Sequence, residues 1–307
     1  SKEVTERILK TATERTGSPV HRLRALWTLH ATNSLPDSVA QKLLFEDNEH
    51  LRVWGIRFLT EKLPLDTINN GVSNRDITLD PQLASHFRAM ADKDASGLVK
   101  LTLASTLQRL PISFRSELAG VLASDATYAN DPQFPFMLWF AMVHAAKTEP
   151  AALVKLAESS QSPKLTQWIS RYLATRSDKS PELLTQLLGA KIPEATRPAV
   201  LVGMAEAYSG ISKANAPTTW NGFAVSVEDP KSTGLVQKLS LLFGDTRTLD
   251  TLRATVLGSK AKLGHRPAAH LLQDRLGLED RIQPLPRDER VDGEVERRRH
   301  DRPRDGE

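Results

Sequence analysis

The sequence predicts an all-α chain: an α-solenoid of the HEAT or armadillo kind, followed by a disordered C-terminal tail. Three observations carry this expectation. Apolar residues recur at helical spacing along most of the chain. Helix-starting residues punctuate it at short intervals, and one Leu–Trp–aromatic rhythm returns several times.

The periodicity marks one face at Val20, Leu23, Leu26, Trp27 and Leu29, and another at Leu51, Trp54, Gly55, Phe58 and Leu59. It returns at Leu98, Leu101, Ala104, Leu107 and Leu110, and at Leu165, Trp168, Ile169, Tyr172 and Leu173. Strand-like alternation is nearly absent; GFAVSV (222–227) is the best candidate, short and isolated. Helix starts are expected at Ser18-Pro19, Pro36-Asp37, Asp47-Asn48, Asp80-Pro81, Asp131-Pro132, Ser162-Pro163 and Ser180-Pro181. There a capping side chain can accept from a free amide, or a proline can take a first-turn position that has no hydrogen bond to lose.

LRVWGIRFL (51–59) and LTQWISRYL (165–173) share Leu, Trp three residues on, and a closing aromatic–Leu pair, and LVKLTLASTL (98–107) keeps the rhythm. Asp47 precedes the first run and Asp94 the run at Leu98, 47 residues after Leu51. That step matches a HEAT period of roughly 40–47 residues; the following one, to Leu165, is longer. A single helix pair cannot bury its own apolar face, so such units stack and share a continuous core. The expected core residues are Trp27, Leu51, Trp54, Phe58, Leu98, Leu107, Leu138, Trp139, Met142, Trp168 and Tyr172.

DPQFPFMLWFAMVHAA (131–146) carries no polar side chain from Phe134 to Val143. The run is about half of what a membrane span requires, so no membrane insertion is expected. An apolar surface on all sides predicts a helix buried between neighbouring repeats.

Composition narrows the chemistry. The 307 residues include no cysteine, which excludes disulfides, thiolate nucleophiles and covalent haem attachment within this chain. The eight histidines, at 21, 30, 50, 86, 144, 265, 270 and 300, form no metal-ligand spacing, and His30 and His144 are expected at helix C-termini. Neither phosphate-loop nor nucleophile-elbow motifs occur. Net charge is +4 with a pI near 9.3, but the charges are interspersed, which disfavours nucleic acid. The N-terminus, SKEVTERILK, is unlike a secretory signal, and a first residue of Ser suggests a piece of a longer chain.

Two polar loops interrupt the helices, 64–79 and 209–231, and the second carries Trp220, the one candidate interaction residue. The boundary of the solenoid is expected at 264. Lys disappears after Lys262, where ten Arg follow, and 265–307 becomes an Arg-rich polyampholyte, expected to be disordered or read from a shifted frame.

Taken in order, LRALWTLHA, LRVWGIRFL, LVKLTLASTLQRLP, DPQFPFMLWFAM and LLFGDTRTLDTLR resemble the HEAT-repeat region of a large family of exported, membrane-bound dehydrogenase-type proteins of planctomycete-type bacteria. The likeness spans roughly residues 1–264. It implies an extracytoplasmic parent in which a β-propeller precedes the repeats and a haem c domain follows. No cofactor is then expected in this chain, and haem only in a downstream domain. The expected role is a non-catalytic scaffold or interaction module whose partner is protein, other domains of the same polypeptide foremost. The alternatives are an enzyme with a site on the concave solenoid face, or a HEAT-like nucleic-acid binder using Arg52, Arg57, Lys100 and Arg171.

Overall fold

Fourteen α-helices, four short 3-10 turns and no strand make up the regular structure among the described residues, 2–66 and 77–245, of a computed structural model. The chain divides after Asp250 into two compact units, and the described residues all belong to the first. The expected boundary at 264, the tail 265–307, most of the 64–79 loop and the end of LLFGDTRTLDTLR lie outside the described residues.

The helices are α1 (Lys2–Thr13), α2 (Pro19–Ala31), α3 (Asp37–Leu43), α4 (Glu49–Thr60), α5 (Pro81–Lys93), α6 (Gly97–Thr106) and α7 (Ile112–Ala123). They continue with α8 (Phe134–Ala145), α9 (Ala151–Ser159), α10 (Pro163–Ala174), α11 (Pro181–Gly189), α12 (Arg197–Ala207), α13 (Trp220–Ser226) and α14 (Thr233–Leu242). Their starts follow local chemistry. Asn48 accepts from the amides of His50 and Leu51, Asp80 from Leu83, Ser96 from Val99 and Ser162 from Leu165. Pro19, Pro81, Pro163 and Pro181 each open their helix. Asp131 accepts from Gln133 and Phe134 and so launches α8.

GFAVSV does not form a strand; most of it is in α13. Trp220 and Phe223, three apart, are both buried, while Val225 stands 83% exposed. Helical spacing of the two large rings decides the conformation over a short stretch of alternation.

The packing follows a simple rule. From α4 onward each helix contacts the one two places further along: α4 meets α6, α6 meets α8, α8 meets α10, α10 meets α12 and α12 meets α14. Between these run α5, α7, α9, α11 and α13, which meet one another in the same way. Two layers of helices thus share a core that extends from Leu44 to Leu242, with a second cluster around Leu26, Leu29, Leu43 and Leu51.

Three ion pairs knit the first layer. Arg22 on α2 grips Glu46 with bonds of 3.0 and 2.6 Å, and Arg52 on α4 grips Asp94 with bonds of 2.7 and 2.8 Å. Lys100 on α6 reaches Asp125 at 2.5 Å. In each case the cation sits on one helix and the acid in the connector that leads to the next helix of its layer. Beyond α8, closeness of backbones takes over. A Cβ on Gly203 of α12 would stand 2.3 Å from the carbonyl oxygen of Gln167 on α10, and the Ser170 hydroxyl donates to the Val200 carbonyl at 2.7 Å.

Burial divides the expected core residues. Leu51, Phe58, Leu107, Leu138 and Met142 are buried. Trp27 is 41% exposed and Leu98 38% exposed, so neither belongs to the core. Leu23, Leu26 and Leu29 take the inward positions of α2, and Val99 and Leu103 those of α6, which leaves the other two residues outside. Trp54, Trp139, Trp168 and Tyr172 are half-buried and pack on the core from its outer side.

Candidate interaction surface

Helix α8 is apolar on every side but covered on only part of its circumference. Leu138, Ala141, Met142 and Ala145 face the core, whereas Phe136 is 42% exposed and Met137, Trp139, Phe140 and Val143 are half-buried. The expectation of a helix buried between its neighbours holds for Leu138, Ala141, Met142 and Ala145 and is corrected for Phe136 and for Trp139, which is half-buried. Helices α6, α7, α9 and α10 pack against α8, and the side that carries Phe136, Trp139, Phe140 and Val143 is the less covered one.

The open side continues onto α10. Phe136 packs on Trp168 with ring centroids 4.6 Å apart, and Trp139 meets Trp168 at 6.2 Å and Tyr172 at 5.8 Å. Cations border this patch: Lys164 lies 5.7 Å from the Trp168 ring, and Arg176 lies 3.6 Å from the Tyr172 ring. Neither has a carboxylate partner among the described residues. A second, smaller aromatic group joins Trp27 to Trp54 at 5.1 Å, with Arg57 5.0 Å over Trp54.

Trp220, the residue singled out for interaction, is 3% exposed. Its indole donates to the Ser240 hydroxyl at 3.2 Å and its ring meets Phe243 edge-on, so it anchors the 209–231 segment to α14. That role in contact with a partner is corrected: the ring is spent inside.

A polar cluster lies inside the first layer pair. Arg115 on α7 is fully buried, as is Asp66, and the two meet at 3.0 Å. The guanidinium also donates to the carbonyls of Gln108, Leu110 and Ala141. Arg109 in the same LQRLP string donates to the carbonyls of Glu61 and Leu63, and the Gln108 carbonyl accepts from the Asp66 amide. The string thus clamps the connector that leaves α4. Asp66 Oδ1 and His144 Nδ1 are buried without a hydrogen-bond partner. Burial lowers the pKa of His144; the charge of Lys147 acts the same way, Asp66 opposes it and Arg115 adds to it.

The remaining features offer less. His30 ends α2 and meets Glu61 at 2.8 Å. A cleft of about 700 Å³ lies between Glu194–Pro198 and Ser226–Asp229, but Arg197 at its edge already donates to the Ile192 and Ser226 carbonyls. Of the four cations considered for nucleic acid, Arg52 and Lys100 are held in ion pairs, Arg57 lies on Trp54 and Arg171 is 3.7 Å from Glu206. No cluster of three metal-ligating side chains occurs among the described residues, and no helix there is long and apolar enough to cross a membrane.

The open face of α8 was hidden in the sequence because an all-apolar helix has no polar side to mark its outward direction. Arg115 did leave a signal: with Leu118, Ala119 and Leu122 it shares a helical stripe that is otherwise apolar. The chain matches no family model, no curated protein and no solved structure.

Proposed function

We propose that the chain is an interaction module: an α-solenoid scaffold without chemistry of its own, whose partner is protein. The observation that carries this reading is the open apolar side of α8, bordered by the rings of α10. Large contiguous apolar surface is costly in water and marks sites where another macromolecule docks. The two-layer packing and the ion pairs that join successive helices support the solenoid reading, since each unit borrows its neighbour's surface to complete its core.

The ordered strings of the sequence support a further step. On their resemblance we place the chain within an exported dehydrogenase-type parent, as the segment between a propeller and a haem domain, in an extracytoplasmic compartment. Other domains of that polypeptide are then its first partners. A photo-crosslinking side chain at Phe136, introduced into the protein in the cells that make it, tests the interaction reading. The expected result is a discrete polypeptide adduct from position 136 and none from exposed Gln186 on α11. No adduct at 136 would sink it.

A further inference from the structure

We infer that the open face of α8 and α10 takes an acidic amphipathic helix of the protein partner. This rests on the interaction reading above and adds to it the partner's chemistry.

Phe136, Trp139, Phe140 and Val143 stand at positions i, i+3, i+4 and i+7 of α8. That is the spacing by which one helix presents a stripe to another. On its covered sides α8 already packs against helices of both layers, and the open stripe repeats the same geometry outward. A helix with its own apolar stripe is the occupant that such a seam fits.

The border sets the sign of the partner's charge. From Phe134 to Ala145 α8 carries no acid and no Lys or Arg, and two cations lie over the rings that continue the stripe, Lys164 on α10 and Arg176 just beyond its end. Lys164 and Arg176 flank Trp168 and Tyr172 and lack carboxylate partners among the described residues. Arg171 lies between them and shares only a 3.7 Å contact with Glu206. Carboxylates beside the partner's apolar stripe would complete these cations, whereas lysines there would be repelled.

Single-stranded nucleic acid would also meet aromatics and cations, but it stacks bases on open ring faces. Here the rings pack on one another, Phe136 on Phe140 and Trp168, and Trp139 on Trp168 and Tyr172, and Lys164 and Arg176 lie over two of them, so they form one joined apolar surface rather than separate stacking platforms.

The test uses the whole 307-residue chain and a fluorescein-labelled peptide of about 18 residues, five helical turns. One version has Leu along one face and Glu along the other; a second has Lys for every Glu. Fluorescence anisotropy should show saturable binding of the Glu peptide, at least about tenfold tighter than that of the Lys peptide and weakened by salt. Phe136→Ser should lose that binding, and Lys164→Glu with Arg176→Glu should reverse the preference; both changes are at the surface, and unaltered melting would show the fold intact. Equal or tighter binding of the Lys peptide overturns the inference, as does binding of neither. So does capture by anionic phosphatidylglycerol vesicles or by oligo-dT in preference to the Glu peptide. A discrete adduct at Phe136 alongside any of these failures would leave the interaction reading standing and remove only the partner's chemistry.

Discussion

Arg115 and Asp66 meet at 3.0 Å with no solvent access to either side chain, although 49 residues separate them in the chain. Removing one partner of such a pair leaves a buried, uncompensated charge. Arg115→Ala would in addition strip donors from three backbone carbonyls. The expected loss is ~3–5 kcal/mol, measured by urea denaturation. The paired replacement Asp66→Leu with Arg115→Met should cost clearly less than Arg115→Ala alone. Equal costs would show that the carbonyl contacts, not the ion pair, matter.

Acid should weaken the fold in two stages. In the native chain burial holds the pKa of His144 below its ordinary value of 6.5, so the unfolded chain takes up that proton first. Stability is full above this value and declines as pH falls through it, until the native imidazole is also protonated. Lower down, hydrogen bonds from Arg22 hold Glu46 below its ordinary 4.5, and its contribution is lost as pH falls from there through the native value. Urea midpoints measured in steps from neutral pH downward should show both declines. His144→Phe should lack the first and keep the second.

Gly203 and Gly222 should respond oppositely to alanine. At Gly203 the new methyl would collide with the Gln167 carbonyl oxygen at 2.3 Å and with the Arg171 amide nitrogen at 2.9 Å, both backbone atoms that cannot step aside. Overpacking of this kind costs ~1–3 kcal/mol or more. Gly222 lies in α13 with nothing within 4 Å of a Cβ, so Gly222→Ala should stabilise by up to ~1 kcal/mol. Thermal melting of the two variants checks both signs together.

Neighbouring residues on α8 should also separate. Leu138 is 1% exposed and Leu138→Ala should cost ~2–5 kcal/mol. Trp139 is half-buried on the open side, so Trp139→Ala should fall below the ~3–5 kcal/mol of an enclosed aromatic despite its larger volume. A greater loss at Trp139 than at Leu138 would contradict the open face.

The helices were legible because their signals are local. Ser162-Pro163 caps and opens α10, and the Leu165–Ile169–Leu173 spacing tells which side turns inward. Aromatic residues misled because size alone does not set depth. Trp27, Trp54, Trp139 and Trp168 sit where a stripe meets its flank, and each could be drawn inside or left at the surface depending on a neighbour that sequence does not place. Trp220 shows the converse: a ring in a polar stretch is buried because Ser240, twenty residues on, offers its indole an acceptor. The open stripe of α8 belongs to the same class, since the packing of α6, α7, α9 and α10 decides which of its sides stays least covered.

The three ion pairs from Arg22 to Asp125 stop where α8 begins, and Gly203 and Ser170 take over the joining of helices beyond it. Protonating Glu46 and Asp125 would release the first and last of these rungs, whereas the contact at Gly203 is made with backbone atoms that do not titrate. The molecule therefore has a grain. Acid is expected to loosen the part from α2 to α8, which holds Glu46, Asp125 and His144, before the α10–α12 contact, a difference that amide exchange followed helix by helix would record.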